Sequence, residues 1–200
     1  MNELLSTNFL LPILIGIGLV AATGFRIFLP LFIVSLLTDS GSIDLNISDN
    51  WSWIGTDTTM MILGLLAAVE IVVYYIPILD NFLDKLSVLL AAIAGIFIFK
   101  IVLPEVINEY LSWVLAIVIG GGVSFFISAT MTAARDVSTI TTRGEGNFVI
   151  STVETLCSVI LIFMSIYLPV LCFFFVLFIL YSCYYAYSHV SKRKNNILLH

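Results

Sequence analysis

Four charged side chains lie inside long apolar stretches of the sequence, and they are the residues best placed to do chemistry. They are Arg26, Glu70, Arg135 and Glu154. A charged side chain near the centre of a bilayer costs roughly 3 kcal/mol on insertion scales, so such residues tend to be paired or functional. A guanidinium group binds anions, and a buried carboxylate supplies a counter-charge or carries a proton. The four residues predict a site for an anion or a small polar solute within a membrane.

Arg26 lies beside features that favour a break in its helix. Pro30 has no N–H, so in a continuous helix the carbonyl of Arg26 would find no donor four residues further on. Thr23 precedes Arg26 by three residues and shares its helix face. The apolar segment that holds them, residues 8–37, would be about 45 Å long as a straight helix, against a hydrocarbon core of about 30 Å. We expect this helix to be kinked or broken within residues 24–30.

The same charged residues recur in the same order in both halves of the chain. Each half contains a Thr-x-x-Arg pattern followed, in its next apolar segment, by two small residues and Val-Glu. The patterns end at Arg26 and Glu70 in the first half and at Arg135 and Glu154 in the second. Pairing within a half and pairing across the halves both remain open. With three helices in each half, the halves would have opposite orientations, as in inverted-repeat transporters.

The composition places the chain among polytopic membrane proteins. Its 200 residues are 60% hydrophobic and 10% charged, whereas a soluble domain is about half apolar and a quarter charged. A spanning helix needs about 20 mostly apolar residues. Six such segments are predicted, at residues 8–37, 58–78, 86–103, 110–134, 147–168 and 169–190. We therefore predict an all-α protein with one transmembrane domain over residues 1–200, its two inverted repeats covering about 8–103 and 110–190.

The charges outside these segments predict an orientation. The connections after the first and third segments contain acidic residues but no lysine or arginine. The opposite side carries Lys85, Arg135, Arg143 and the basic residues 192–194. The positive-inside rule then places both termini in the cytoplasm. We expect no cleaved signal peptide, since no basic stretch precedes the first apolar segment.

Two polar connections on the basic side add candidates to the site. In residues 74–85, two aspartates are candidates for binding a cation or a proton, although helix capping also explains Asp80. In residues 136–147, hydroxyls and glycines before a helix start favour an anion-binding concavity. An ordinary loop with Asn147 as the helix N-cap is the alternative. The candidate ligands are Asp80, Asp84, Ser138, Thr139, Thr142 and Asn147.

Several kinds of chemistry have no support in the sequence. Cys157, Cys172 and Cys183 lie in apolar segments without metal-ligand or disulfide spacing. No Ser–His–Asp grouping suggests an enzyme, and the net charge of −5 leaves no basic surface for nucleic acid. We expect no cofactor, no metal and no catalytic activity. The expected partners are membrane lipids, a small solute or ion, and a second copy of the chain.

Three functions remain open at this point. The favoured one is a small transporter or channel for an anion or a small polar solute, with the buried Arg/Glu site at the repeat interface. The second is a flippase-like protein that handles a lipid or polyprenyl phosphate, with Arg26 and Arg135 on the phosphate. The third is a structural partner in membrane assembly, in which Glu70 and Glu154 only neutralise the arginines.

The chain resembles a bacterial integral-membrane family, domain of unknown function 4126. The matching motifs are residues 16–18, 22–31, Glu70, 74–84, 120–122, Arg135, 138–142, Gly144, 146–147 and Glu154. The resemblance implies an inner-membrane protein and brings no established activity. The family pattern in this region is Thr-Thr-Gly-Gly-x-Gly/Ala-Asn-Pro, and the chain departs from it after Thr142. It has Arg143, Glu145 and Phe148 instead. This departure argues against a functional role for Arg143 and Glu145.

Overall fold

The chain is almost entirely helical over the residues that the computed structural model describes, which are 7–40, 49–74, 77–104, 106–142 and 145–198. In chain order the elements are α1 (Thr7–Phe25), α2 (Phe28–Ser40), a 3-10 helix (Asp49–Gly55), α3 (Asp57–Val73), α4 (Pro77–Val102), α5 (Glu109–Leu115), a π-helix (Ala116–Gly121), α6 (Gly122–Thr142), α7 (Asn147–Tyr167) and α8 (Pro169–Leu198). The elements from α5 to α6 follow one another without interruption and form a single long helix.

Three helical stretches in the described residues are long and apolar enough to cross a bilayer. They are Glu109–Thr142, Asn147–Tyr167 and Pro169–Tyr187. Shorter apolar helices occupy Phe9–Phe25, Phe28–Ser40 and Leu86–Val102. Length and composition therefore support the expectation of a helical membrane protein, while six spans in two inverted repeats stay a prediction.

The first apolar segment forms two helices rather than one. α1 ends at Phe25 and α2 begins at Phe28, so Arg26 and Ile27 form a two-residue break. The expected break near Arg26 is confirmed. Pro30 lies in the first turn of α2, where backbone N–H groups have no partner within the helix, so its missing N–H costs nothing there.

α1 lies at the centre of the bundle. It packs against α4, α6, α7 and α8, and its residues 19–22 are at most 1% exposed. The contact with α6 is close at Gly24. A Cβ placed on this glycine would lie 2.7 Å from the Cβ of Ile127 and 3.1 Å from the carbonyl oxygen of Ser124. The absence of a side chain at Gly24 therefore allows the two backbones to meet beside the break.

The polar stretch expected to connect α6 and α7 is mostly helical, so the prediction of a long connection over residues 136–147 is wrong. α6 continues through Thr142, and α7 begins at Asn147. The hydroxyls of Thr141 and Thr142 donate to carbonyl oxygens of the preceding turn, at 2.8 and 2.7 Å. Because such bonds satisfy hydroxyl groups inside a helix, a run of Ser and Thr need not end one.

The connection before α4 is also shorter than expected. α4 begins at Pro77 rather than near residue 86, because proline is well tolerated at the first position of a helix. Asp80 and Asp84 therefore lie within α4 and not in a connection, and Asp80 does not cap the helix. Their side chains are outside the described part of the structure.

α3 lies at the edge of the bundle. It packs on α2 and on the 3-10 helix, and many of its apolar side chains are exposed. Met61, Leu65 and Val72 are 70%, 68% and 60% exposed. A helix that is apolar on most of its surface suits contact with lipid. An apolar cleft separates part of α3 from α4.

The close contact of α1 with α6 predicts the effect of adding one methyl group. We expect Gly24→Ala to destabilise the fold by about 1–3 kcal/mol, because the new Cβ overlaps atoms that are fixed to the α6 backbone. Thermal unfolding of the purified protein in detergent measures this change.

Gly122→Ala is the matched control for this substitution. No atom lies within 4 Å of a Cβ at Gly122, and alanine favours a helix over glycine by about 1 kcal/mol. An unfolding temperature of Gly24→Ala at or above that of Gly122→Ala would contradict the close contact.

Candidate functional site

The Arg26 side chain is fully buried and crosses from the α1–α2 break to α7. It is 0% exposed. Its Nε donates to the hydroxyl of Thr155 at 3.0 Å. Its Nη2 donates to the carbonyl oxygen and to the hydroxyl of Ser151, at 2.8 and 2.6 Å. Its Nη1 has no hydrogen-bond partner among the described residues. One donor of a buried guanidinium group thus remains available in this arrangement.

Glu154 is the carboxylate on which two arginines converge. Its Oε2 accepts a hydrogen bond from the Nη2 of Arg135, and the Nη2 of Arg26 lies 3.6 Å from the same oxygen. All three side chains are at most 4% exposed. We call Arg26, Arg135 and Glu154 the charge cluster. Pairing occurs both within the second half and across the two halves of the chain.

Tyr74 holds the two guanidinium groups together from the side of α3. The Cζ atoms of Arg26 and Arg135 lie 4.5 and 4.3 Å from the centroid of its ring. Tyr74 is 6% exposed. A desolvated cation over an aromatic ring gains about 2 kcal/mol. The ring therefore offsets part of the repulsion between two cations that share one carboxylate.

Glu70 binds the backbone of the broken helix instead of an arginine. Its Oε1 accepts from the N–H of Ile27 at 2.7 Å, and its Oε2 accepts from the N–H of Phe28 at 2.9 Å. A carboxylate is favoured at a helix N-terminus, where free N–H groups and the helix dipole carry partial positive charge. Of the pairings that the sequence left open, Arg26 therefore pairs with Glu154 of the other half, while Glu70 binds the start of α2.

A small cavity, which we call the polar chamber, adjoins these groups. Its volume is about 10 Å³, at the lower limit for one water molecule. Residues from five helices line it, among them Glu70, Ser87, Thr132 and Arg135. The site as it stands has no room for a solute, so any ligand larger than water requires a rearrangement.

Thr23, the threonine predicted for the site in the first half, uses its hydroxyl within its own helix. Thr23 is 0% exposed, and its hydroxyl donates to the carbonyl oxygen of Leu19 in its own helix at 2.8 Å. Its counterpart Thr132 lines the polar chamber. The two positions of the proposed repeat therefore have different surroundings.

The remaining candidates join the end of α6 to the start of α7. The Asn147 side-chain amide donates to the hydroxyl of Thr139 at 2.9 Å, and the N–H of Gly146 donates to the hydroxyl of Thr142 at 3.0 Å. The Ser138 and Thr142 hydroxyls lie 3.4 Å apart. Asn147 is the first residue of α7 and not its N-cap, which is Gly146. These bonds link two helices, and a role in ligand binding stays a prediction.

Sequence reasoning missed three residues that contact Arg26, namely Tyr74, Ser151 and Thr155. The signal for two of them was present. Ser151, Glu154, Thr155 and Ser158 follow the i, i+3, i+4, i+7 spacing of one helix face. That face meets α1, where the hydroxyl of Ser158 donates to the carbonyl oxygen of Ala22 at 3.1 Å. A polar stripe on an apolar helix was thus a sign of its buried face.

The comparison with known families covers most of the chain. Residues 13–189 match the family described as "Domain of unknown function (DUF4126)". The chain belongs to this family. The DUF4126 match includes Arg26, Glu70, Arg135 and Glu154, and it covers all the helices except the first residues of α1 and the last residues of α8. No curated protein and no solved structure is significantly similar to the chain.

The geometry of the charge cluster predicts a large effect of removing its carboxylate. Glu154→Gln leaves the two buried guanidinium groups without their shared anion, and breaking a buried pair in this way costs about 3–5 kcal/mol. We expect a correspondingly large fall in thermal stability in detergent.

Glu109→Gln is the control for this change. Glu109 is an exposed residue in the first turn of α5, and a surface substitution of this kind changes stability by about 0.5 kcal/mol or less. Similar unfolding temperatures for the two variants would show that Glu154 does not neutralise the cluster.

Proposed function

We propose that this protein is a small membrane transporter or channel for an anion or a small polar solute. The observation that carries the proposal is the sharing of the Glu154 carboxylate by Arg26 and Arg135. The two cations of the cluster share one carboxylate, and the second carboxylate at the helix break, Glu70, is bound by the N–H groups of Ile27 and Phe28. The free Nη1 donor of Arg26 adds a group that a transported anion can bind.

The break in the first helix supports a role in transport. Irregular backbone at membrane depth is tolerated where it is buried in protein or lines a cavity, and broken helices form the central sites of many transporters. In this proposal the described arrangement is an occluded state, since the polar chamber holds only about 10 Å³. Transport then requires α2 and α3 to move relative to α1 and α7.

A purely structural role is the competing explanation, and the complete burial of Arg26 favours it. In that case the charge cluster only fixes the relative positions of α1, α6 and α7. The two explanations differ in one measurable respect. A structural cluster leaves vesicles as tight as protein-free ones, whereas a transporter moves at least one solute at a rate that depends on Arg26.

Flux into proteoliposomes tests the proposal, with a panel of inorganic anions, small carboxylates and phosphate esters. Wild-type protein is expected to exceed protein-free vesicles for at least one of them, and Arg26→Gln to fall to their level. Thr155→Val removes one hydrogen bond to the guanidinium, worth about 1.5–3 kcal/mol, and should slow flux about tenfold.

Thr152→Val is the matched control for Thr155→Val. Both threonines lie on α7 and donate to a carbonyl four residues back, but the hydroxyl of Thr155 also accepts from Arg26. We expect Thr152→Val to retain wild-type flux. Equal flux in the two threonine variants, or wild-type protein no faster than empty vesicles, would refute the role of the cluster.

We further propose a location in the bacterial cytoplasmic membrane with both termini in the cytoplasm. The support is the distribution of lysine and arginine along the sequence. A green fluorescent protein fused after His200 is expected to fluoresce in bacterial cells, and an alkaline phosphatase fused there to be inactive. An active phosphatase fusion with a dark fluorescent fusion would reverse the orientation.

A further inference from the structure

A polar cavity of about 390 Å³ lies where α4 ends and α5 begins, and we call it the end cavity. Lys100, Glu109 and Ser112 line it, opposite apolar side chains that include Trp51 and Leu103. Small-molecule sites in proteins have volumes of about 300–1,000 Å³. The end cavity therefore has room for a small solute, which the polar chamber lacks.

The end cavity is far from the charge cluster and close to the membrane surface. Along α4, Lys100 lies about 20 Å from Ser87 of the polar chamber, at 1.5 Å per residue. The apolar stretch Leu86–Val102 ends at the cavity, and the membrane-length stretch Glu109–Thr142 begins there. Tryptophan is enriched at membrane–water interfaces, and Trp51 lies in the cavity wall. The end cavity is thus placed to meet a water-soluble molecule.

Lys100 brings a positive charge to the end cavity. Its Nζ donates to the hydroxyl of Ser112 at 2.6 Å and lies 5.5 Å from the centroid of the Trp113 ring. Ser112 is 2% exposed, and its hydroxyl donates in turn to the carbonyl oxygen of Glu109 at 2.8 Å. A lysine ammonium group has three donors, and Ser112 is its one hydrogen-bond partner within the described residues. The ammonium group is therefore held in place while its charge and two donors remain open to a ligand.

Glu109 brings a negative charge to the same cavity. It lies in the first turn of α5, and it is exposed. Neither Glu109 nor Lys100 forms an ion pair with any residue that the structure describes. Two opposite charges therefore line one cavity without neutralising each other.

These two charges select a class of ligand by charge complementarity. An anion would be attracted by Lys100 and repelled by Glu109, and a cation would meet the reverse. A neutral solute would exclude water from both charged groups without replacing it by an opposite charge. A solute with both a carboxylate and an ammonium group can form charge-assisted hydrogen bonds to both residues. A zwitterion is thus the class that uses both charges.

We infer that the end cavity binds a zwitterionic amino acid with an apolar side chain. Its carboxylate accepts from Lys100, and its ammonium group donates to Glu109. Its side chain lies against the wall that contains Trp51 and Leu103. The site is separate from the charge cluster, but as the place where a transported solute first binds it rests on the proposed function.

Isothermal titration calorimetry of the purified full chain in detergent tests binding directly. The probe is L-leucine. Isocaproate has the same carbon skeleton and carboxylate without the ammonium group, and isoamylamine is leucine without its carboxylate. We expect leucine to bind with an affinity at least about tenfold higher than either analogue. An analogue that binds as tightly as leucine, or a failure of leucine to bind, would overturn the inference.

Two substitutions that each remove one charge assign the two contacts. Lys100→Gln should weaken leucine binding at least about tenfold and abolish the preference for leucine over isoamylamine. Glu109→Gln should weaken it similarly and abolish the preference for leucine over isocaproate. A folded variant that keeps the preference it is expected to lose would contradict the corresponding contact. Because Glu109 is exposed, its variant provides the test even if Lys100→Gln does not fold.

Glu145→Gln and Arg26→Gln are the controls for position. Glu145 is an exposed glutamate between α6 and α7, and we expect its variant to bind leucine as the wild type does. Equal loss of binding in Glu145→Gln and Glu109→Gln would show a general effect of charge and overturn the inference. Leucine binding that Arg26→Gln abolishes and Glu109→Gln leaves intact would place the amino acid at the charge cluster instead.

Binding and flux fail separately. Leucine that binds in the end cavity, with neither leucine nor any other solute moved in proteoliposomes, leaves this site standing and removes the proposed transport. Flux that depends on Arg26, with no binding of leucine, supports transport and removes the amino-acid site.

Discussion

The sharing of one buried carboxylate by two arginines is the interaction on which the arrangement of helices depends. Glu154 lies on α7, Arg135 on α6 and Arg26 at the end of α1, so three helices must meet at one level. An uncompensated charge in a low-dielectric interior costs several kcal/mol, and a shift of one helix turn would leave at least one of them unpaired. The cluster thus sets the register of the central helix against the second half of the chain.

A second constraint arises from the broken helix beside the cluster. Ending α1 at Phe25 and starting α2 at Phe28 frees backbone N–H groups, and within a membrane no water is present to satisfy them. Glu70 reaches across from α3 and accepts from two of these groups. The break between α1 and α2 is therefore stabilised by a side chain of α3. Any ligand that displaces Glu70 must satisfy the same two donors, which links ligand chemistry to the position of α3.

The polar chamber and the apolar cleft between α3 and α4 lie on opposite sides of Glu70 and Tyr74 and have opposite characters. On one side are buried charges with space for about one water molecule. On the other side is the apolar cleft between α3 and α4, with exposed apolar side chains such as Val69 at its rim. Glu70 and Tyr74 therefore separate a polar interior from an apolar surface.

The sequence by itself determined the apolar helices, the break near Arg26 and the four buried charges, because hydrophobicity, the missing N–H of Pro30 and insertion cost are local properties. Only the tertiary structure decided which charges pair, that Glu70 binds the start of α2, and that Tyr74 joins the cluster. Spacing along a helix tells which residues share a face, but not which neighbour that face meets. The helical course of residues 136–142 was hidden for a related reason: hydroxyl groups are satisfied as well by a helix's own carbonyls as by a loop.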